Sequence, residues 1–511
     1  MAFYVTTPIY YVNAEPHLGH AYSTIATDVL ARHMRQRGEE VFFLTGTDEH
    51  GEPVAQAAER LGTTPRELAD LNSPRFRNLV SRVNATADFF IRTSDAEHED
   101  GVRRVVQGLY DNGHIYAGTY EGWYCPRCAD FKTEGELLEG NRCAIHKIVL
   151  VREKEDNYFF RLSAFQEPLE RLYAERPGFV VPQHRYNEAL SFIRQGLTDV
   201  SMSRSSLTWG VPVPWDESQV IYVWIDALLN YYTALSYARP GEDLEGRFWP
   251  PTVQVMAKDI LKFHAVIWPA LLVAAELEVP ERLLIHGYLL MDEEKMSKSL
   301  GNVIDPFQVI DMYGTDALRY YLLREVSLGQ DGSVSPEGFE TRYASELANE
   351  YGNLASRSLA MIAKYRDGEV PSADAGTDLT ADFDGLAERV RARFDDLDLT
   401  GALDDIWQLV RRLNRYVQEQ EPWQLAKDPG ASQRLDSVLC GLAEGLRVVS
   451  VLLYPFMPDS VERLMAALGR AEPDELEFER ARFEPTPESH TIAELPQLFP
   501  RIERPLASPA A

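Results

Sequence analysis

The first fifty residues carry the pattern that most constrains the fold: a strand, a helix and a second strand in close succession. Residues 3–7 are rich in β-forming side chains, and a helix with regularly spaced apolar residues follows, ending near Gly38. Residues 41–44 predict a buried strand that breaks at the polar segment 45–51. This alternation predicts a doubly wound parallel sheet of the Rossmann type, whose ligands bind beyond the carboxyl ends of the strands.

The pattern changes along the chain and predicts five parts. Residues 1–114 and 219–346 form the two halves of the α/β domain, separated by an insertion at 115–218 that holds three of the four cysteines. Residues 347–470 have a helical pattern, interrupted by a loop at 367–376, and predict an all-α bundle. Residues 471–511 form an acidic, proline-bearing tail without periodicity.

Composition limits the class of partner. The formal net charge is −28, which argues against indiscriminate binding of nucleic acid, because such binding depends on a basic surface. The N-terminus lacks the basic region of a signal peptide, and charged residues interrupt every apolar run before it reaches membrane-spanning length. We therefore expect a cytoplasmic protein without a membrane partner.

Two short motifs suggest nucleotide chemistry. His17-Leu18-Gly19-His20 precedes the first helix, whose N-terminus suits phosphate, although the same residues could merely cap the helix. Lys295-Met296-Ser297-Lys298-Ser299 places two cations and hydroxyls in a loop after a strand, although it could be a plain solvated loop. Their order, one near the N-terminus and one after the last strand, makes chance an unsatisfactory explanation for the pair.

The two motifs resemble the HIGH and KMSKS signatures of the class I aminoacyl-tRNA synthetases. Segments 7–13, 45–51 and 222–228 are similar to the methionine-specific members of that family, and the resemblance extends from Phe3 to about Gly469. It implies a methionine–tRNA ligase that uses ATP, L-methionine and tRNA(Met), in initiation and elongation. It also implies Mg²⁺ with the ATP, a catalytic domain that continues through 219–346 into a stem-contact region, and anticodon binding by 347–470.

The resemblance also assigns roles to residues. It implies that His17, His20, Lys295 and Lys298 are catalytic, and that the following residues bind ATP: His17, Gly19, His20, Lys295, Ser297 and Lys298. Catalysis would then consist of alignment and charge stabilisation at the α-phosphorus, without a covalent protein intermediate.

The amino-acid pocket has an ordinary alternative. Trp224, Leu228 and Tyr231 share one helical face, a pattern that by itself favours plain core. The resemblance instead implies that these three bind methionine together with Ile9, Tyr11, Asp48, Ile260 and His264, with Asp48 holding the ammonium group. His264 could also be a core histidine. The insertion is too short for a large editing domain, which favours methionine or cysteine over leucine, isoleucine or valine.

The cysteines predict a metal site. Cys125 and Cys128 are followed, after fourteen residues, by Cys143 and His146, which is tetrahedral zinc spacing. Four protein ligands would close the site, so we expect one structural Zn²⁺ per chain; the alternative is three free thiols and a surface histidine. Cys440 lies in a helical pattern and predicts buried core.

The resemblance implies that Asn353, Arg357 and Trp423 read the anticodon, although by sequence alone Trp423 fits core packing better. We do not expect the C-terminal OB-type domain of some relatives, which favours a monomer. Two rivals remain open: another class I synthetase, for cysteine or leucine, and a non-catalytic RNA-binding paralogue, against which the intact lysines and histidines of both motifs count.

Overall fold

The structure is a computed structural model that describes residues 2–126, 130–132, 134–291, 294–295, 304–372, 377–484 and 489–502. Its first part confirms the predicted strand–helix–strand unit. The elements are β1 (Ala2–Thr6), β2 (Tyr10–Tyr11), α1 (Leu18–Gln36), β3 (Glu40–Asp48), α2 (Glu52–Leu61), α3 (Pro65–Arg82), β4 (Phe89–Arg92) and α4 (Ala96–Asp111). The predicted break at residue 45 is wrong: β3 continues to Asp48, because Thr47 and Asp48 pair with Tyr10 and Tyr11 of β2.

The segment corresponding to the predicted insertion is dominated by a long antiparallel pair. Its elements are β5 (Ile115–Cys125), β6 (Asp130–Lys132), β7 (Leu137–Leu138), β8 (Arg142–Cys143), β9 (Val151–Phe160), α5 (Gln166–Glu175), β10 (Val180–Val181), α6 (Gln183–Arg194), β11 (Val200–Ser201), β12 (Ser203–Arg204) and β13 (Pro212–Val213). The short strand β10 pairs with the large sheet. This segment therefore also supplies an edge of that sheet, while the domain limits given above stay a prediction.

The α/β pattern then resumes. The elements are β14 (Asp216–Ile221), α7 (Val223–Thr233), α8 (Leu244–Phe248), β15 (Val253–Ala257), a π-helical turn (Phe263–Ile267), α9 (Trp268–Ala274), β16 (Arg282–His286), β17 (Leu289–Met291), β18 (Glu294–Lys295), α10 (Pro306–Tyr313), α11 (Thr315–Glu325), β19 (Gly332–Ser333), α12 (Pro336–Arg342) and a second π-helix (Tyr343–Gly352).

The remainder is mainly helical, as predicted. Its elements are α13 (Asn353–Tyr365), β20 (Glu369–Val370), α14 (Thr377–Phe383), α15 (Leu386–Asp395), α16 (Leu399–Gln420), α17 (Pro422–Leu425), α18 (Ser432–Leu453), α19 (Pro458–Ala467) and β21 (His490–Thr491). Cys440 is buried in α18, as expected. No described helix is long and apolar enough to cross a lipid bilayer.

The central sheet has seven parallel strands in the order β10-β16-β15-β1-β3-β2, with β4 also paired to β3. Helices cover both faces, α1 on one side and α7 and α9 on the other, which confirms the Rossmann-type arrangement. Strand β1 lies between β3 and β15, so the chain order reverses there. Ligands of such sheets bind at this switch point, beyond the carboxyl ends of the strands.

Candidate active site

A cavity lies at the predicted switch point. It has a volume of about 400 Å³ and is walled by residues that follow the carboxyl ends of β1, β3, β15 and β16. All the residues predicted for the amino-acid pocket line it, together with motif residues at the start of α1, namely Ile9, Tyr11, Asp48, Trp224, Leu228, Tyr231, Ile260, His264, His17, Gly19 and His20. Residues from distant parts of the sequence are thus brought to one site.

The two histidines of the first motif form the cap of α1. The backbone N–H of Gly19 donates to Nδ1 of His17 (3.1 Å), and the backbone N–H of His17 donates to Nδ1 of His20 (3.0 Å). A neutral imidazole that accepts at Nδ1 carries its proton on Nε2, so each ring presents a donor nitrogen on its other side. A Cβ at Gly19 would lie 2.9 Å from the His17 ring, which explains the glycine. The capping alternative and the phosphate-binding prediction are therefore compatible.

A third histidine, which the sequence analysis missed, joins this end of the cavity. His286, the last residue of β16, donates from Nδ1 to the carbonyl of Gly287 (2.8 Å) and accepts at Nε2 from the hydroxyl of Ser23 (2.8 Å). Burial lowers the pKa of His286, so the ring is neutral and ties the end of β16 to α1. Gly287 and Tyr288, the next residues, also line the cavity. The sequence signal was a histidine at the carboxyl end of a predicted strand.

The apolar end of the cavity is aromatic. Trp224 stacks on Phe263 with ring centroids 3.9 Å apart, and Tyr11 meets Trp224 edge-on at 6.3 Å. Trp224 and Leu228 belong to α7, whereas Phe263 opens the π-helical turn before α9. Such a wall suits an apolar, polarisable ligand group.

Tyr231 and His264 close this end with a hydrogen bond whose donor and acceptor are fixed by a neighbouring carbonyl. His264 Nδ1 lies 3.1 Å from the carbonyl of Ile260, which can only accept, so the ring proton is on Nδ1 and the Tyr231 hydroxyl donates to Nε2 at 2.9 Å. Burial lowers the pKa of His264 to about 4, so the ring is neutral at pH 7. Each residue's single polar hydrogen is therefore already used, and a thioether would meet the edges and faces of the rings.

The only carboxylate among the predicted pocket residues is Asp48, which is 2% exposed at the end of β3. Its Oδ1 has no hydrogen-bond partner among the described residues. Burial, the nearby Asp226 carboxylate and Glu49 raise the pKa of Asp48 well above its usual range, against hydrogen bonds from the His50 backbone and the Tyr11 side chain. A buried acceptor of this kind suits a cationic ligand group.

A buried cluster that the sequence analysis did not find links α7 to the loop after β3 and to α4. Asp226 accepts from His50 at 2.8 Å and contacts His98 at 2.9 Å, although these histidines are 176 and 128 residues away in the chain. No sequence spacing links them, because they come from the loop after β3 and from α4.

The predicted metal ligands gather in part. The ligand atoms of Cys125, Cys143 and His146 all lie within 4.8 Å of one another, with His146 Nδ1 3.8 Å from Sγ of Cys125 and 4.0 Å from Sγ of Cys143. In a tetrahedral zinc site sulfur and nitrogen ligands are about 3.5 Å apart, so the donor set fits that ion. The fourth predicted ligand, Cys128, lies outside the described residues. Ile145 and His146 also line the cavity at the switch point, as does Lys132.

Most of the second motif lies outside the described residues. Glu294 and Lys295 form β18, where the Lys295 backbone pairs with Leu290 of β17. Ser297 and Lys298 fall outside the described residues. The chain that leads to them, through Tyr288 and Leu289, lies in the cavity wall.

The predicted anticodon residues lie in the helical region. Asn353 is exposed at the start of α13, Arg357 is partly buried one turn later, and Trp423 is half-buried in the first turn of α17, with Pro422 at N1 as predicted. Trp423 packs against the core, and α13 and α17 both contact α18.

Helix α16 carries three arginines in its second half. Arg411 pairs with Glu346 and Glu350, and Arg412 pairs with Asp382 and Glu419. Arg415 is exposed beside a groove.

Comparison with known proteins gives a consistent result over nearly the whole chain. The family model described as tRNA synthetases class I (M) matches residues 3–141 and 132–359, and that of the anticodon binding domain of methionyl tRNA ligase matches 368–505. The methionine–tRNA ligase of Streptomyces coelicolor is 48% identical, with 98% of this chain and 97% of that protein covered. That of Caldanaerobacter subterraneus is 44% identical, covering 99% and 80%. A structure of Mycobacterium tuberculosis methionyl-tRNA synthetase in complex with methionyl-adenylate is 42% identical, with a TM-score of 0.93 and coverage of 98% and 100%.

Proposed function

The chain belongs to the class I methionyl-tRNA synthetases, and from that premise we propose how its residues divide the work. It activates L-methionine with ATP to methionyl-adenylate and transfers the methionyl group to tRNA. The observation that carries the residue assignment is that the pocket residues and the two motif histidines line one cavity at the switch point of the sheet. The cognate RNA is proposed to be tRNA(Met), for initiation and elongation.

Methionine is proposed to enter with its side chain against Trp224 and Tyr11, and its ammonium group against Asp48. Ile9, Leu228, Tyr231, Ile260 and His264 complete the wall. The Tyr231 hydroxyl already donates to His264, and His264 donates to the Ile260 carbonyl, so the thioether is held by packing and by sulfur–aromatic contact. The amino-acid carboxylate would then face the nucleotide end of the cavity.

ATP is proposed to bind at the N-terminus of α1, where backbone N–H groups and the helix dipole favour phosphate. His17 and His20 would donate from Nε2 to phosphate oxygens, Gly19 allows close approach, and Lys295, Ser297 and Lys298 would close from the other side. The carboxylate oxygen of methionine attacks the α-phosphorus and pyrophosphate leaves. These donors stabilise the charge that develops on the phosphoryl oxygens, which is where catalysis is gained. Mg²⁺ is proposed to accompany the ATP.

Cys125, Cys128, Cys143 and His146 are proposed to hold one structural Zn²⁺ per chain, which would fix the insertion beside the cavity wall. Asn353, Arg357 and Trp423 are proposed to read the anticodon by stacking and hydrogen bonding. We further propose a cytoplasmic monomer.

Amino-acid-dependent pyrophosphate exchange across the twenty amino acids tests the assignment. Methionine alone should support rapid exchange. Asp48→Asn should raise the KM for methionine while leaving the KM for ATP within about threefold, because an interaction made equally in the ground state and the transition state contributes to KM. Exchange with cysteine or leucine that exceeds exchange with methionine would overturn the specificity. An unchanged KM for methionine in Asp48→Asn would overturn the role of that carboxylate.

A further inference from the structure

A fully buried aspartate joins three elements behind the amino-acid pocket. Asp226 of α7 is 0% exposed; its Oδ2 lies 2.8 Å from Nδ1 of His50, and its Oδ1 lies 2.9 Å from Nε2 of His98. His98 Nδ1 in turn lies 2.7 Å from the hydroxyl of Thr233, on the same helix as Asp226. Both oxygens of this carboxylate are thus held by histidines from the end of β3 and from α4. We call Asp226, His50 and His98 the aspartate–histidine cluster.

The cluster stands next to the groups that meet the substrate. His50 follows Asp48 by two residues, and Asp226 follows the pocket residue Trp224 by two. The packing at these joints is tight: a Cβ at Gly51 would lie 2.9 Å from Val223, and one at Gly101 would lie 2.6 Å from Thr233. A change in the cluster would therefore act on both Asp48 and α7.

The charges around Asp48 are mainly negative. Asp226 and Glu49 are close enough to oppose its ionisation, and Glu99 of α4 lies 3.7 Å from His50 Nε2. Glu49 is neutralised separately, because Arg92 of β4 binds both of its oxygens at 2.7 and 2.9 Å. His50 lies between Asp226 and Glu99, with one ring nitrogen towards each carboxylate, and is placed to offset their charge.

We propose that the aspartate–histidine cluster is a positioning device for amino-acid activation: it locks α7 onto the end of β3, and its imidazolium, His50, offsets the buried negative charge so that Asp48 receives the substrate ammonium as a carboxylate. This rests on the proposed role of Asp48 in methionine binding. His98 completes the cluster by fixing the second oxygen of Asp226 and thereby its orientation.

The protonation directions agree with this geometry. Asp226 and Glu99 raise the pKa of His50 although the ring is buried, and the two histidines lower the pKa of Asp226 to about 2 despite the opposing effect of burial. Asp226 is therefore the anion of the cluster, and the carboxylates beside His50 favour the protonated form of its ring. If His50 loses its charge, the field of Asp226 reaches Asp48 uncompensated and raises the pKa of Asp48 further.

The experiment measures kcat/KM for methionine in pyrophosphate exchange from pH 5 to 9, with the KM for ATP as a second readout. The acid limb is the part of the kcat/KM profile in which activity falls as Asp48 takes up a proton. In His50→Asn, whose amide replaces the Nδ1 donor but carries no charge, this limb should move to higher pH by about one unit or more. At a pH on the acid limb the KM for methionine should rise about tenfold, since a shift of one unit there corresponds to a factor of ten, and kcat should change far less. His50→Gln, also neutral, serves where His50→Asn does not fold.

The double variant His50→Asn/Asp226→Asn separates charge from packing. Charge compensation requires that removing both charges returns the limb towards that of the parent enzyme, whereas a purely structural role requires the double variant to be at least as impaired as the single one. His33→Phe is the matched control: His33 is an equally buried histidine that stacks on Phe394, and its loss should not move the limb.

An unmoved acid limb in His50→Asn, or a double variant no better than the single, overturns the inference. Asp48→Asn distinguishes this from failure of the proposed function. If Asp48→Asn removes the limb and raises the KM for methionine while His50→Asn behaves like the parent, only the role of the cluster is wrong. If Asp48→Asn itself binds methionine normally, the proposed ammonium site is wrong as well.

Discussion

Arg319 of α11 and Asp28 of α1 form an ion pair at 2.8 Å in which both side chains are completely buried. Arg319 also donates to the backbone carbonyls of Val83, Pro455 and Phe456, at 2.9, 2.7 and 3.0 Å. Asp28 therefore lies between the Rossmann sheet and the segment that joins α18 to α19. Helix α1, which begins at the motif histidines, is anchored to the helical region by this pair.

Removing Asp28 should be strongly destabilising. Asp28→Asn removes the ion-pair partner of the buried Arg319 guanidinium, which typically costs about 3–5 kcal/mol. The pKa of Asp28 is lowered by Arg319 and Arg32, so the pair stabilises the protein above the carboxylate's unfolded pKa and loses that effect as the pH falls through the folded value. Urea unfolding at pH 7 measures the change. Glu121→Gln, which breaks the exposed pair with Arg152, is the control and should cost under about 1 kcal/mol; equal losses in both variants would contradict the argument.

His264 predicts a pH dependence of stability. Burial lowers its pKa from 6.5 to about 4, so between these values the unfolded chain binds a proton that the folded protein does not. The contribution is complete above pH 6.5 and is lost as the pH falls towards 4, by roughly 3 kcal/mol in all. His264→Asn, which keeps a donor for the Ile260 carbonyl, should flatten the stability profile in this window. Parallel profiles for the two proteins, from denaturation at half-unit pH steps, would show that His264 titrates normally.

The parallel sheet could be predicted because period and composition alone mark β1, α1 and β3. The error at residue 45 arose because Thr45 and Thr47 look like loop residues, yet their hydroxyls are satisfied inside the sheet by Thr7 at 2.7 Å and by Glu49 at 2.7 Å. A polar residue that finds a buried partner is invisible to a hydropathy pattern.

The pocket shows the same division. Trp224, Leu228 and Tyr231 share a face that periodicity assigns to core, and only the family resemblance marked it as a ligand wall. The aspartate–histidine cluster and His286 were missed because hydrogen bonds across 128 to 263 residues of sequence leave no local pattern. Such contacts depend on the order of strands in the sheet, which local sequence patterns do not reveal.

Loss of the metal should affect the active site as well as the insertion, because Ile145 and His146 line the cavity. Metal analysis should find about one zinc per chain, and Cys143→Ser should lose it. That variant should show a reduced pyrophosphate exchange rate while the helical region keeps its unfolding transition. Cys440→Ser, which changes a buried cysteine of α18, should retain zinc and activity. Metal-free protein from a reducing, chelator-free purification would refute the zinc site.

Lys298→Ala should slow adenylate formation much more than it weakens methionine binding. A cation that engages the phosphates mainly in the transition state lowers kcat when it is removed, rather than raising the KM for the amino acid. Single-turnover formation of methionyl-adenylate, with methionine affinity measured separately by tryptophan fluorescence, gives the two quantities. Normal adenylate formation would exclude the assigned role.

Trp423→Ala should leave methionine-dependent pyrophosphate exchange near normal while it cripples tRNA charging. The cavity proposed to bind ATP and methionine is built on the sheet, whereas Trp423 is half-buried on α17 and packs against the core of the helical region. If the indole stacks on an anticodon base, its loss should cost about 1–3 kcal/mol of tRNA affinity. If it serves only as core, truncation should instead cost about 3–5 kcal/mol of folding stability. Trp423→Phe keeps an aromatic face and should restore much of the charging. Thermal unfolding and aminoacylation of both variants separate the two roles, and a destabilised Trp423→Ala whose folded fraction charges tRNA normally would leave Trp423 as a packing residue.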